Sequence, residues 1–190
     1  YSFMQKDIIK TNEVLQNGGI ILYPTDTIWG IGCDATNDEA CKRLFSIKKR
    51  KPEHSMLILV NSLTMLERHV QFVPDAAYQL IEASTNPITI IYPKAKNISK
   101  YITAEDGSIG IRLCNSEFCL RLLDRFRKPI VSTSANFSGK PAPSNFNQIT
   151  TNIKEKMDYI VEYSQNIDSI TKQSPIIKIN IDNSFKIIRR

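Results

Sequence analysis

Short apolar, β-branched runs alternate with amphipathic segments along this 190-residue chain, and that alternation most limits the folds open to it. Such runs need a sheet to pair in, and the segments between them need a sheet face to cover. Strands are predicted at 20–23, 27–32, 55–60, 88–92, 108–113, 129–132, 159–163, 175–180 and 185–189. Helices are predicted at 5–17, from Asn37 through Phe45, and at 62–69, 75–84, 115–126 and 146–156. Gly18 suits the end of the first helix because glycine tolerates positive φ, and Asn37 suits an N-cap because its side chain accepts from a free backbone N–H. Helices do not separate every pair of strands, so the reading is an α/β (α+β) fold on a mixed sheet. A composition of 42% hydrophobic and 23% charged residues fits one folded domain, 1–190, and excludes a disordered or collagen-like chain.

The longest apolar runs fall well short of the ~20 residues of a membrane helix, so no membrane association is expected. Tyr1 to Gln16 carries charges throughout and lacks the apolar centre of a signal peptide, while an opening Tyr1 implies that the true start is missing. Cys33, Cys41, Cys114 and Cys119 form no Cys-x-x-Cys pair and have no His at zinc spacing. They read as reduced core thiols of a cytoplasmic protein, with no metal site of the protein's own.

The formal charge of +6 is unevenly spread. Residues 42–51 hold Lys42, Arg43, Lys48, Lys49, Arg50 and Lys51 and no acid; without them 19 acids remain to balance the other bases. Six unopposed cations before the apolar strand at 55–60 repel one another, and a phosphate-bearing ligand would relieve that repulsion.

No P-loop sequence is present, and no Ser-His-Asp or Cys-His constellation can be assembled: the histidines are His54 and His69, and His69 fits a helix end. Gly30-Ile-Gly32-Cys-Asp-Ala35 approaches a dinucleotide fingerprint, but the acid expected ~20 residues later is only Glu53, in the basic loop ahead of its strand. Tight packing of strand against helix accounts for those glycines. Besides the basic stretch Lys48–His54, three segments are polar where strand ends would form a pocket. Tyr23–Gly30 (YPTDTIWG) sets two hydroxyls and a carboxylate among aromatics after an apolar strand. Arg112 stands inside the apolar strand Ser108–Leu113, where a guanidinium needs a carboxylate from the protein or from a ligand. Ser132–Gly139 (STSANFSG) offers hydroxyls, an amide and close backbone approach, and the Pro- and Ser-rich stretch 138–144 after it reads as an extended loop.

With these segments in this order, the chain resembles the threonylcarbamoyl-adenylate synthase family of the YrdC/TsaC type. That family shows YPT-[ED]-T-x-[YW]-G, a K-x-R loop before an apolar strand, a G-[IV]-R strand and S-x-S-A-N-x-S-G. Here these are YPTDTIWG, Lys48-Lys49-Arg50, Gly110-Ile111-Arg112 and STSANFSG. The resemblance implies a YrdC-like twisted mixed sheet flanked by helices. Ending at Arg190, the chain is expected to hold the catalytic domain alone. The implied reaction joins L-threonine, bicarbonate and ATP into threonylcarbamoyl-AMP and pyrophosphate, a nucleotidyl transfer that serves threonylcarbamoyladenosine modification of tRNA.

By the same resemblance Thr27, Arg112, Ser132 and Ser174 would bind threonine. Lys48 and Arg50 would be catalytic at the ATP phosphates, and His54, Ser108, Ser134, Asn136 and Arg189 would lie along the nucleotide. Mg²⁺ would arrive with ATP, largely phosphate-bound. tRNA is a further candidate partner, and downstream threonylcarbamoyl-transfer proteins would take the product. Trp29 and Asp26 keep the chemical type of the family's usual Tyr and Glu, whereas Lys51 replaces the common proline after the K-x-R arginine. The rival reading is a non-catalytic module for double-stranded RNA or tRNA, because basic patches, here also Arg121, Arg125, Arg127 and Lys128, bind phosphate backbones.

Overall fold

Nine strands form one sheet in the computed structural model, which describes residues 2–49, 56–167 and 171–190. They are β1 (Ile21–Tyr23), β2 (Gly30–Gly32), β3 (Leu57–Val60), β4 (Thr89–Tyr92), β5 (Ile109–Leu113), β6 (Ile130–Ser134), β7 (Tyr159–Ile160), β8 (Ile176–Ile179) and β9 (Phe185–Arg189). The spatial order is β7-β1-β2-β6-β3-β5-β4-β8-β9. β7 with β1, β3 with β5 and β4 with β8 run parallel and the other neighbours antiparallel, so the sheet is mixed as expected. The helices are α1 (Phe3–Gln16), α2 (Asp38–Lys48), α3 (Leu63–Glu67), α4 (Asp75–Ala83), α5 (Glu117–Phe126) and α6 (Thr151–Lys154). α1 packs on α5 and reaches β1, while α3 lies on β3 and β5. Ile58, Ile90, Ile111, Val131, Phe118 and Leu122 belong to one buried core.

Local chemistry explains where the elements start and stop. Asn37 caps α2 by accepting from the Ala40 N–H, and Ser116 caps α5 by accepting from Cys119. α2 continues past the predicted end at Phe45 to Lys48, and Lys49 closes it with a left-handed φ of 52°. Residues 46–48 of the basic stretch are therefore helical rather than loop. The extended stretch predicted at 27–32 shrinks to Gly30–Gly32. Thr25 bonds its own turn, Oγ1 donating to the Ile28 carbonyl at 2.6 Å and accepting from the Thr27 N–H at 3.1 Å, and that competes with strand pairing.

The helix predicted at 146–156 is split. A 3-10 turn, Phe146–Gln148, is followed by extended Ile149 and Thr150 before α6 begins, since adjacent β-branched residues propagate a helix poorly. The strand predicted at 159–163 pairs only at Tyr159–Ile160. Beyond it, the backbone N–H groups of Glu162 and Tyr163 donate to the buried carboxylate of Asp7 instead of to a neighbouring strand.

Gly30 and Gly32 lie in β2 between β1 and β6, not in a phosphate-binding turn. Strand-to-strand approach, rather than the expected strand-to-helix packing, requires Gly32: a Cβ there would sit 2.2 Å from the Val131 carbonyl oxygen and 2.8 Å from the Tyr23 ring. Gly32→Ala is accordingly expected to lower the thermal midpoint by about 5 °C or more, read by calorimetry, because the backbone of β6 cannot withdraw without breaking its pairing.

Candidate active site

Strand register decides which side chains share a sheet face, because directly opposed residues project to the same side. Leu57 stands opposite both Gly110 and Ser132, Thr89 opposite Arg112 and Ile176, and Gly30 opposite Ser134. These residues line one cavity of about 160 Å³, completed by Thr27, Ile28, Trp29, Gln173, Ser174 and Arg189. It lies below the ~300–1,000 Å³ of sites for drug-sized ligands, a size that suits an amino acid.

Arg112 is the central charge. It projects from the middle of β5 and is only 3% exposed. Its Nε lies 3.1 Å from Asp26 Oδ1, an ion pair in which the N–H is not aimed at the oxygen. Nη1 donates to Ser174 Oγ at 3.3 Å and Nη2 to Thr25 Oγ1 at 3.4 Å, both long. Ser174 Oγ also shares a hydrogen bond of 2.7 Å with Thr89 Oγ1.

A second arginine converges on the same serine. Arg189 donates to the Ser174 carbonyl from Nε at 3.0 Å and from Nη2 at 2.7 Å, and from Nη1 to Gln173 Oε1 at 3.0 Å. A bulge brings it there: Ile187 pairs with Ile177 but Arg189 with Ile176, so one extra residue turns Arg189 to the cavity side. Burial, then repulsion from Arg112, pulls the Arg189 pKa below its ordinary value. Two guanidinium groups opposed by one carboxylate make the cavity favourable for an anion.

Of the residues singled out in the sequence, Thr27, Arg112, Ser132, Ser134, Ser174 and Arg189 line this cavity. Lys48 and Asn136 sit behind the Ser134 turn. Lys48 is 1% exposed, and its Nζ donates to the carbonyls of Ser134 at 2.5 Å and Asn136 at 2.6 Å and to Asn136 Oδ1 at 3.0 Å. Ser134 Oγ donates to the same Oδ1, and Asn136 Nδ2 to the Lys140 carbonyl. Ser108 is not among the lining residues; it is buried with its Oγ donating to Asp106 at 2.6 Å. Arg50, Lys51 and His54 lie outside the described residues.

The described cations of the cluster turn different ways. Arg43 pairs with Asp158, Lys48 points inward, and Lys49 lies over the Phe137 ring. Thr89, Gln173 and the pairing of Asp26 with Arg112 escaped the sequence reading, and Thr25 was read only as a hydroxyl of its segment. A threonine in the apolar run 88–92 was the one available signal for Thr89.

Cys33 and Cys114 offer no nucleophile. All four cysteines are free and buried. Hydrogen bonding to Cys41, then burial, pushes the Cys33 pKa well up, and hydrogen bonding to Cys119, then burial, does the same for Cys114, so both stay protonated. Among the described residues no group of three or more His, Cys, Asp or Glu could hold a metal, and no helix is long and apolar enough to cross a membrane.

Known proteins share both the sequence and this architecture. The chain is 32% identical over 161 residues to the threonylcarbamoyl-AMP synthase of Pseudoalteromonas translucida, covering 83% of this chain and 86% of that protein. Over 149 residues it is 28% identical to the threonylcarbamoyl-AMP synthase of Pyrococcus abyssi, covering 78% of this chain and 44% of that longer protein. The crystal structure of Pyrococcus abyssi Sua5 complexed with L-threonine superposes with a TM-score of 0.81 at 26% identity. That match covers 93% of this chain, which spans about half, 51%, of the Sua5 chain. Escherichia coli YciO, at 23% identity and a TM-score of 0.84, shares the fold. The mixed sheet with its arginine-centred cavity thus sits within a match to the Sua5/YciO/YrdC family, described as "Telomere recombination", that runs over residues 13–190, and the chain belongs to that family.

Proposed function

We propose that this protein is a threonylcarbamoyl-AMP synthase, a nucleotidyltransferase that forms threonylcarbamoyl-AMP and pyrophosphate from L-threonine, bicarbonate and ATP. The observation that carries the reading is the buried Arg112, with two long and exchangeable Nη contacts, in an amino-acid-sized cavity lined by hydroxyls. The names of the relatives support the same reaction.

In this reading the Nη groups of Arg112 take the threonine carboxylate, and Thr27, Ser132 and Ser174 supply hydroxyls around it. The neutral amine then attacks bicarbonate, giving a carbamate and water. A carbamate oxygen displaces pyrophosphate from the α-phosphate of ATP. Both partners of that step are anionic, so catalysis needs position and positive charge more than a protein nucleophile. Arg189 supplies charge at the cavity wall. Lys48 acts by holding the Ser134–Asn136 turn that would lie along the nucleotide, and Arg50 and His54 keep their roles at ATP as proposals from the resemblance. Among the described residues the lining offers hydroxyls but no carboxylate, a donor set that does not suit a dedicated Mg²⁺ cage. Mg²⁺ is therefore part of the MgATP substrate, and no step is assigned to it.

The product would pass to proteins that transfer threonylcarbamoyl to tRNA, with the reaction in the cytoplasm. The rival reading as an RNA-binding module does not account for a buried arginine behind the sheet surface, and Arg121 and Lys128 are already paired with Glu117 and Asp34. Incubation with L-threonine, bicarbonate, ATP and Mg²⁺ is expected to release pyrophosphate only when both threonine and bicarbonate are present; no release would sink the proposal.

A further inference from the structure

Asp26 holds a buried carboxylate that the proposed reaction does not use. Its side chain is 1% exposed and does not line the cavity. Neither carboxylate oxygen has a hydrogen-bond partner among the described residues; its one counter-charge is Arg112, with Nε at 3.1 Å. A carboxylate withdrawn from water in this way costs several kcal/mol unless a cation faces it. The turn that carries it is stiff, because Thr25 Oγ1 bridges to Thr27 and Ile28 within the same few residues.

A guanidinium has five N–H donors, one on Nε and four on the Nη atoms. Asp26 comes to 3.1 Å of Nε, and no Nη hydrogen bond to it is formed among the described residues. The Nη atoms are left with contacts of 3.3 and 3.4 Å to the hydroxyls of Ser174 and Thr25, weak enough to be exchanged for a carboxylate arriving in the cavity. Asp26 therefore sets the direction of the guanidinium without occupying the end that faces the ligand.

We propose that Asp26 is a positioning residue that, through Nε of Arg112, fixes the angle at which the Nη groups receive the substrate carboxylate and so aims the amine. This rests on the reading of the cavity as a threonine site. The charge balance gives the idea a distinctive signature. Removing the Asp26 charge leaves Arg112 without that counter-charge, so it attracts a carboxylate no less, while its orientation is lost. Ground-state binding is then kept and the reactive alignment is not.

The test is steady-state kinetics of pyrophosphate release on the full chain, with circular dichroism to check folding. Asp26→Asn is expected to lower kcat at least tenfold while the threonine KM stays within about threefold of wild type or falls. Asp26→Glu, which keeps the charge, is expected to retain kcat within about tenfold. A raised threonine KM at unchanged kcat, no change in either constant, or a Glu variant as impaired as Asn overturns the positioning role. If Asp26→Asn does not fold, Asp26→Ser, which also removes the charge, takes its place: a kcat lowered at least tenfold at a threonine KM within about threefold supports the role, and a higher KM at unchanged kcat, or wild-type constants, overturns it. Failure of the wild-type protein to release pyrophosphate with threonine would instead sink the reading of the site.

Discussion

Arg112→Ala should abolish most threonine-dependent pyrophosphate release, with kcat/KM for threonine down by about 30-fold to several-thousand-fold. That range corresponds to the ~2–5 kcal/mol typical of truncating one member of a buried, hydrogen-bonded charge pair. Two losses combine. The substrate carboxylate loses its clamp, and Asp26, 1% exposed, loses the cation that pairs with it among the described residues. The second loss should appear as instability, about 3–5 kcal/mol by the usual cost of orphaning a buried charge. The two are separable. Arg112→Met combined with Asp26→Leu replaces the ion pair by apolar volume and is expected to recover most of the melting temperature while activity stays absent. A double variant that regained activity would show that Arg112 acts only through stability. Full activity in Arg112→Ala would remove it from the site.

Lys48→Met carries the second large effect. The ammonium is buried beneath three oxygen acceptors from Ser134 and Asn136, and methionine fills similar length without a donor. The Ser134 carbonyl keeps the Asn136 N–H and Asn136 Oδ1 keeps the Ser134 hydroxyl, so the Asn136 carbonyl is the acceptor that loses its donor; a loss of ~1–3 kcal/mol and a thermal midpoint lower by about 5 °C are expected. Because the acceptors belong to the turn that carries Ser134, ATP use should fall with stability, whereas the threonine KM should move little. Thermal unfolding and an ATP titration of pyrophosphate release check this together. An unchanged melting temperature with lost ATP use would mean that Lys48 leaves its buried position to meet the nucleotide directly.

Much of the candidate site was legible in the sequence because it depends on local pattern. An arginine at alternate spacing in an apolar strand has to be buried and has to find an anion, and Arg112 does both. The mixed sheet followed from strand runs that outnumber the helices between them. The elements that were misplaced failed for equally local reasons: Thr25 bonds its own turn, and Ile149 and Thr150 interrupt a helical pattern that hydrophobic spacing alone would carry through.

The basic decapeptide is where sequence and structure part. Taken as a string, the cations of 42–51 suggest one anion site; among the described residues α2 runs on to Lys48 and the cations take different directions. Arg43 turns to Asp158, Lys48 enters the protein, and Lys49 caps the helix. A helix rotates about 100° per residue, so neighbours in sequence cannot share a face. By itself the sequence determined the order and type of most elements, the polar segments and the need of Arg112 for a carboxylate, since propensity, periodicity and burial act over a few residues. Which carboxylate it meets, and that Arg189 joins it at Ser174, only the tertiary structure decided. Those contacts cross 87 residues from Thr25 to Arg112 and 62 from Arg112 to Ser174, and they are set by strand register and by one bulge in β9.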